Sequence, residues 1–154
     1  MPAHHEKHPL AFAAVAVLTA LALGGLGGCG AMQKMGLGGD KPASVELTGA
    51  QEVPPNPTKA SGRSTIAVAA DRTVSGSVIV EDMNAMAAHI HQGAAGANGP
   101  VIVPLTKTSE KVFSVPAGAR LTESQYAAYK EGNLYVNVHS ATYPGGEVRV
   151  QMKP

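Results

Sequence analysis

The feature that most constrains this chain is a period of two. From about residue 44 to residue 153, short segments alternate apolar and polar residues, and glycine, proline, asparagine or aspartate bounds each of them. Successive side chains of an extended strand point to opposite faces, so this alternation describes strands buried on one side and wetted on the other, the habit of antiparallel sheets. Eight strands are expected, at 45–48, 64–69, 74–81, 87–91, 101–105, 111–115, 134–139 and 147–152. One segment departs from the pattern. Thr122-Glu123-Ser124-Gln125 has the Thr-x-x-Gln spacing of a capping box, Tyr126, Tyr129 and alanines follow, and Gly132-Asn133 ends the run. That predicts a short helix over 123–131. The expected fold is all-β, a Greek-key antiparallel β-sandwich with one short helix. With two Phe and no Trp among 154 residues, its core must be built from Val, Ile, Leu and Ala.

The last two strands can be registered from the sequence. Leu134, Val136 and Val138 share one face, and Tyr135, Asn137 and His139 the other. In the final strand Val148, Val150 and Met152 share a face, opposite Glu147, Arg149 and Gln151, and Tyr143-Pro144-Gly145-Gly146 supplies the turn. Pairing valine with valine sets His139 opposite Glu147 or one diagonal away. A slip of one residue would drive charges into the core.

The amino-terminal part reads differently. Residues 10–23 are apolar apart from Thr19, too short for the roughly 20 residues of a bilayer-spanning helix but the length of a signal-peptide core. Leu26-Gly27-Gly28-Cys29 follows at once and resembles the bacterial lipobox. The resemblance implies that residues 1–28 are removed and that Cys29, the chain's single cysteine, becomes a lipidated first residue. Residues 29–43, rich in glycine, read as a flexible tether, and 44–153 as the domain. Gly30, which is not Asp, favours the outer membrane by resemblance to enterobacterial sorting. The expected partner is thus a membrane, through Cys29. A net charge of +1 and the absence of any basic run exclude nucleic acid, and no protein partner is indicated.

Beyond residue 28 only three histidines remain, His89, His91 and His139. His89 and His91 stand two apart on one expected strand, which puts both rings on one face with Cα atoms about 6.6 Å apart. Two such imidazoles can converge on one metal ion, and His139 joins them if its strand lies alongside. The competing reading is that the three rings only hydrogen-bond neighbouring loops. Glu147 is a candidate fourth ligand or a carboxylate orienting His139; otherwise it pairs with Arg149 or Arg63 or braces the Gly145-Gly146 turn. Met83 and Met86 precede His89, and thioethers suit Cu(I), but methionine so placed also serves as core filler.

Four motifs carry a family resemblance: Leu47-Thr48-Gly49-Ala50-Gln51-Glu52-Val53-Pro54-Pro55; Ala88-His89-Ile90-His91-Gln92-Gly93 with Asn98-Gly99-Pro100; Gly132-Asn133-Leu134-Tyr135-Val136-Asn137-Val138-His139; and Pro144-Gly145-Gly146-Glu147-Val148-Arg149 with Gln151. Together they resemble the CHRD domain. The resemblance implies an extracytoplasmic β-sandwich without a settled activity. More weakly, His89-Ile90-His91-Gln92 and Val136-Asn137-Val138-His139 are similar to the copper-ligand strands of copper-zinc superoxide dismutases. Those enzymes use a fourth copper histidine, a zinc loop and a disulfide, none of which has a counterpart here.

Three functions follow as expectations. The favoured one is an envelope-anchored domain that binds a transition metal, copper before zinc, through His89, His91, His139 and Glu147. The second is a non-catalytic envelope interaction domain in which the histidines and Asn137 form a polar network. The third, a dismutase-like enzyme, has the least behind it, and no residue is assigned a catalytic role.

Overall fold

A computed structural model describes residues 43–154. The expected signal segment, Cys29 and nearly all of the tether lie outside the described residues. Within them the strands are β1 (Val45–Thr48), β2 (Ser61–Ser64), β3 (Ala67–Val68), β4 (Val74–Ser75), β5 (Ser77–Glu81), β6 (Ala85–Gln92), β7 (Val101–Pro104), β8 (Thr106–Lys107), β9 (Val112–Ser114), β10 (Leu134–Ser140) and β11 (Val148–Gln151). The helix α1 spans Glu123–Lys130. No described helix is long and apolar enough to cross a membrane.

Nine strands form one antiparallel sheet in the order β7-β6-β10-β11-β1-β2-β5-β9-β8, and β3 pairs with β4 alone. The two edge strands, β7 and β8, are separated in the chain only by Leu105. The Leu105 amide still donates to Ala88 O at 2.9 Å, and Lys107 Nζ donates to Ala85 O at 2.6 Å. One extended run therefore leaves β6 and continues as the partner of β9, so the sheet nearly closes into a barrel. A single core confirms the closure: Leu47, Val78, Ile90, Phe113, Val136 and Val148, drawn from across the strand order, belong to one buried cluster. The all-β expectation with one short helix holds, and the layers of the expected sandwich are parts of one continuous sheet.

The β10–β11 register is the one the valines require, with Val136 opposite Val150 and Val138 opposite Val148. The capping box forms reciprocally: Gln125 N donates to Thr122 Oγ1 at 3.2 Å and Thr122 N to Gln125 Oε1 at 2.8 Å. Two expectations shift. The 64–69 strand is instead the end of β2 and all of β3, because Ser64 Oγ takes the Ile66 amide at 3.1 Å and turns the chain. The 74–81 strand breaks at Gly76, where φ is +106° and a Cβ would collide with the Thr65 carbonyl oxygen.

Candidate metal centre

The centre lies on the face of the β6–β10–β11 region that points away from the valine core. Register places His89 opposite Asn137 and His91 opposite Tyr135 across β6 and β10, and Asn137 opposite Arg149 across β10 and β11. Alternation therefore gathers His89, His91, Tyr135, Asn137, His139 and Arg149 into one polar layer. Loop residues bond into this layer: Gly99 reaches His91 and Tyr135, Pro144 reaches His139, and Gly145 reaches Asn137. His91 is only 8% exposed, and Arg149 1%.

The three imidazoles converge. One ligand atom from each of His89, His91 and His139 lies within 4.8 Å of the others. Ring centroids are 4.9 Å apart for His89 and His139, 5.6 Å for His89 and His91, and 6.2 Å for His91 and His139. Two nitrogens bonded to one ion at about 2.0–2.1 Å sit roughly 3–4 Å apart, so small side-chain shifts suffice.

Hydrogen bonds assign the free nitrogens. His139 Nδ1 donates to Pro144 O at 3.0 Å and His91 Nδ1 to Gly99 O at 2.9 Å. A carbonyl only accepts, so both neutral rings keep their lone pair on Nε2. His139 Nε2 takes a hydrogen bond from His89 Nδ1 at 3.0 Å. His91 Nε2 is buried without any partner. Carbonyls that orient imidazoles through the far nitrogen are the usual support of a metal-binding histidine. Burial, then the neighbouring His139 and His91, hold His89 below the ordinary imidazole range. Burial lowers His139 as well, with the Pro144 hydrogen bond pulling the other way and His91 adding to the depression. Neutral rings are what a metal requires.

Glu147 stands elsewhere, which corrects its expected place in the centre. Its Oε1 accepts from Thr58 Oγ1 at 2.7 Å, and its backbone carbonyl takes Asn56 Nδ2 at 3.0 Å. The carboxylate thus ties the 56–58 loop to the start of β11, and Pro144 O does the orienting of His139. Met83 packs against the core, and Met86 is 63% exposed.

Several contributors to the layer escaped the sequence. Tyr135 stacks on His91 with centroids 4.7 Å apart and planes 8° from parallel, and the Arg149 guanidinium carbon lies 3.4 Å from the Tyr135 centroid on the ring face. The Gly99 amide donates to the Tyr135 hydroxyl at 3.1 Å. Glu52, 4% exposed, has an unpaired Oε1 beside Gly146. Burial pushes its carboxyl up to about 7, against the opposing pull of Arg149 and the hydrogen bonds from Val53 and Asn137. Glu52 and Val53 line both of the clefts that flank this edge of the layer, of about 370 and 470 Å³. Glu52 and Arg149 do lie within the quoted motifs, but only the folded loop brings Glu52 here, and only the pairing of β10 with β6 and β11 builds the stack.

The model of one protein family, the CHRD domain, matches residues 43–152, a span that includes every residue of the polar layer. No curated protein and no solved structure matches the chain.

Proposed function

The chain belongs to the CHRD domain family, and from that premise we propose that it is an exported, lipid-anchored protein whose domain binds a transition-metal ion through His89, His91 and His139. Copper is the favoured ion and zinc the alternative. The observation that carries the reading is His91 Nε2, a lone-pair nitrogen buried without a hydrogen-bond partner in a ring whose other nitrogen is already committed to Gly99. An orphaned buried acceptor costs about 1–3 kcal/mol, and an ion shared with His89 and His139 would remove that cost. The donor set fits. Three imidazoles, two of them oriented from behind by backbone carbonyls, with no carboxylate among them, suit copper, which stands above zinc in affinity for nitrogen sites.

When bound, a copper ion supplies one-electron chemistry and an exchangeable coordination position. The protein's part is to favour the neutral form of His89 and His139, to fix two of the rings through Gly99 and Pro144, and to cover His91. Cys29 supports the envelope assignment through its lipobox setting; two or more acyl chains there would make the anchor stable.

The alternative, a metal-free polar network, draws on the His89–His139 hydrogen bond. Titration of the protein, purified without an affinity tag, with Cu(I), Cu(II) and Zn(II) separates the two. Saturable binding of one ion per chain, lost in the His89→Ala/His91→Ala double variant, is the expected result. Absent binding, or equal binding by the double variant, favours the network.

A further inference from the structure

Arg149 is an unusual cation. Its guanidinium is buried, yet its hydrogen bonds go to neutral acceptors: Asn98 Oδ1 at 3.3 Å, Ala94 O at 3.3 Å, Ala97 O at 3.0 Å and Gln151 Oε1 at 3.1 Å. Its flat face lies on Tyr135, and the opposite side of the stack is His91. The acid whose charge acts on it is Glu52, in the wall of the same cleft. A buried charge that is not directly paired acts over a longer range than an exposed one, because less water screens it.

We propose that Arg149 and Glu52 form an opposed pair of buried charges that sets the oxidation-state preference of the histidine centre, with Arg149 favouring the singly charged cuprous ion and Glu52 the doubly charged cupric ion. The inference rests on the copper reading given above. The two stacking distances, 4.7 and 3.4 Å, taken end to end keep the guanidinium within about 8 Å of the His91 ring. At that range and an effective dielectric near 20, one unit of charge changes the relative affinity for two ions that differ by one unit by roughly tenfold or more. Neither residue touches the ion; both act through the field, and Arg149 also positions the 94–98 loop.

Loss of that loop support would weaken both ions alike, so the ratio of the two affinities is the quantity to read. Cu(I) and Cu(II) affinities are measured separately on the processed protein, which on the lipobox reading begins at Cys29, by competition with a chelator specific for each ion, at about pH 8, where Glu52 is ionised. Arg149→Gln should raise the Cu(II)-to-Cu(I) affinity ratio about tenfold. Glu52→Gln should lower it, and Arg149→Lys should leave it near the wild-type value. Opposite signs are the signature of a field, because a merely structural disturbance has no reason to reverse direction between the two variants. If the wild type binds both ions and the ratio stays put, or moves the same way in Arg149→Gln and Glu52→Gln, this inference falls and the metal reading stands. A wild type that binds neither ion removes both.

Discussion

Glu52→Gln also tests the burial argument without any metal. The carboxyl titrates near 4.5 in the unfolded chain and near 7 in the fold, where burial outweighs the attraction of Arg149. Between those values the folded protein holds a proton that the unfolded chain has released. The contribution of Glu52 to stability must then fall as pH rises across that window, and the full loss persists above it. The separation of the two values corresponds to about 3 kcal/mol. Glutamine has no proton to lose, so the variant escapes this decline. Urea unfolding of both proteins, with chelator present, at several pH values from about 4.5 to 8 should show the stability difference moving in favour of the variant by about 3 kcal/mol. The histidines titrate in both proteins and cancel in the difference. A difference that does not vary with pH, or that grows in favour of the wild type as pH rises, would refute the claim that Glu52 is a destabilised buried carboxylate.

Three further outcomes are expected. His89 and His139 titrate below the ordinary imidazole value in the fold, so the unfolded chain binds more protons just below about pH 6.5 and these two rings contribute a loss of stability as pH falls there, opposite in sign to the Glu52 contribution; the stability difference between the metal-free wild type and a His89→Gln/His139→Gln variant should therefore move toward the variant as pH falls through that region, as read by unfolding midpoints. Thr122→Ala removes the oxygen that accepts the Gln125 amide and should cost about 1 kcal/mol in chemical unfolding. Cys29→Ala should move the protein from the membrane fraction to the soluble envelope fraction, checked by fractionation and by the loss of acyl mass.

What was legible in the sequence was whatever has a local period or a local partner. The β10–β11 register could be read because Val136, Val138, Val148 and Val150 have one arrangement that buries them all. The helix could be read because Thr122 and Gln125 satisfy each other within one turn. β2 carries no such signal: its residues are Ser61, Gly62, Arg63 and Ser64, and only pairing with β1 and β5 makes them a strand. β8 is two exposed residues whose extended form comes from β9. The closing of the sheet around Leu105 depends on hydrogen bonds between distant segments, which leave no pattern along the chain. The same division runs through the centre. Alternation puts His89 and His91 on one face, and the pairing of β6 with β10 meets the condition for His139 to join them. Glu147 was placed with them by the same alternation, but Thr58, far away in sequence, takes its carboxylate. Register across β6, β10 and β11 sets His91, Tyr135 and Arg149 side by side, but the pairing of β6 with β10 has no local signal, and the unpaired Glu52 arises from loop packing that no local rule specifies.

The central claim is that one ion sits among three imidazoles. Anomalous diffraction at the copper edge from crystals of the copper-loaded protein tests it most directly. The account predicts a single strong peak about 2 Å from a nitrogen of each of His89, His91 and His139. A peak bonded to other residues, or no peak at full copper loading, would contradict it.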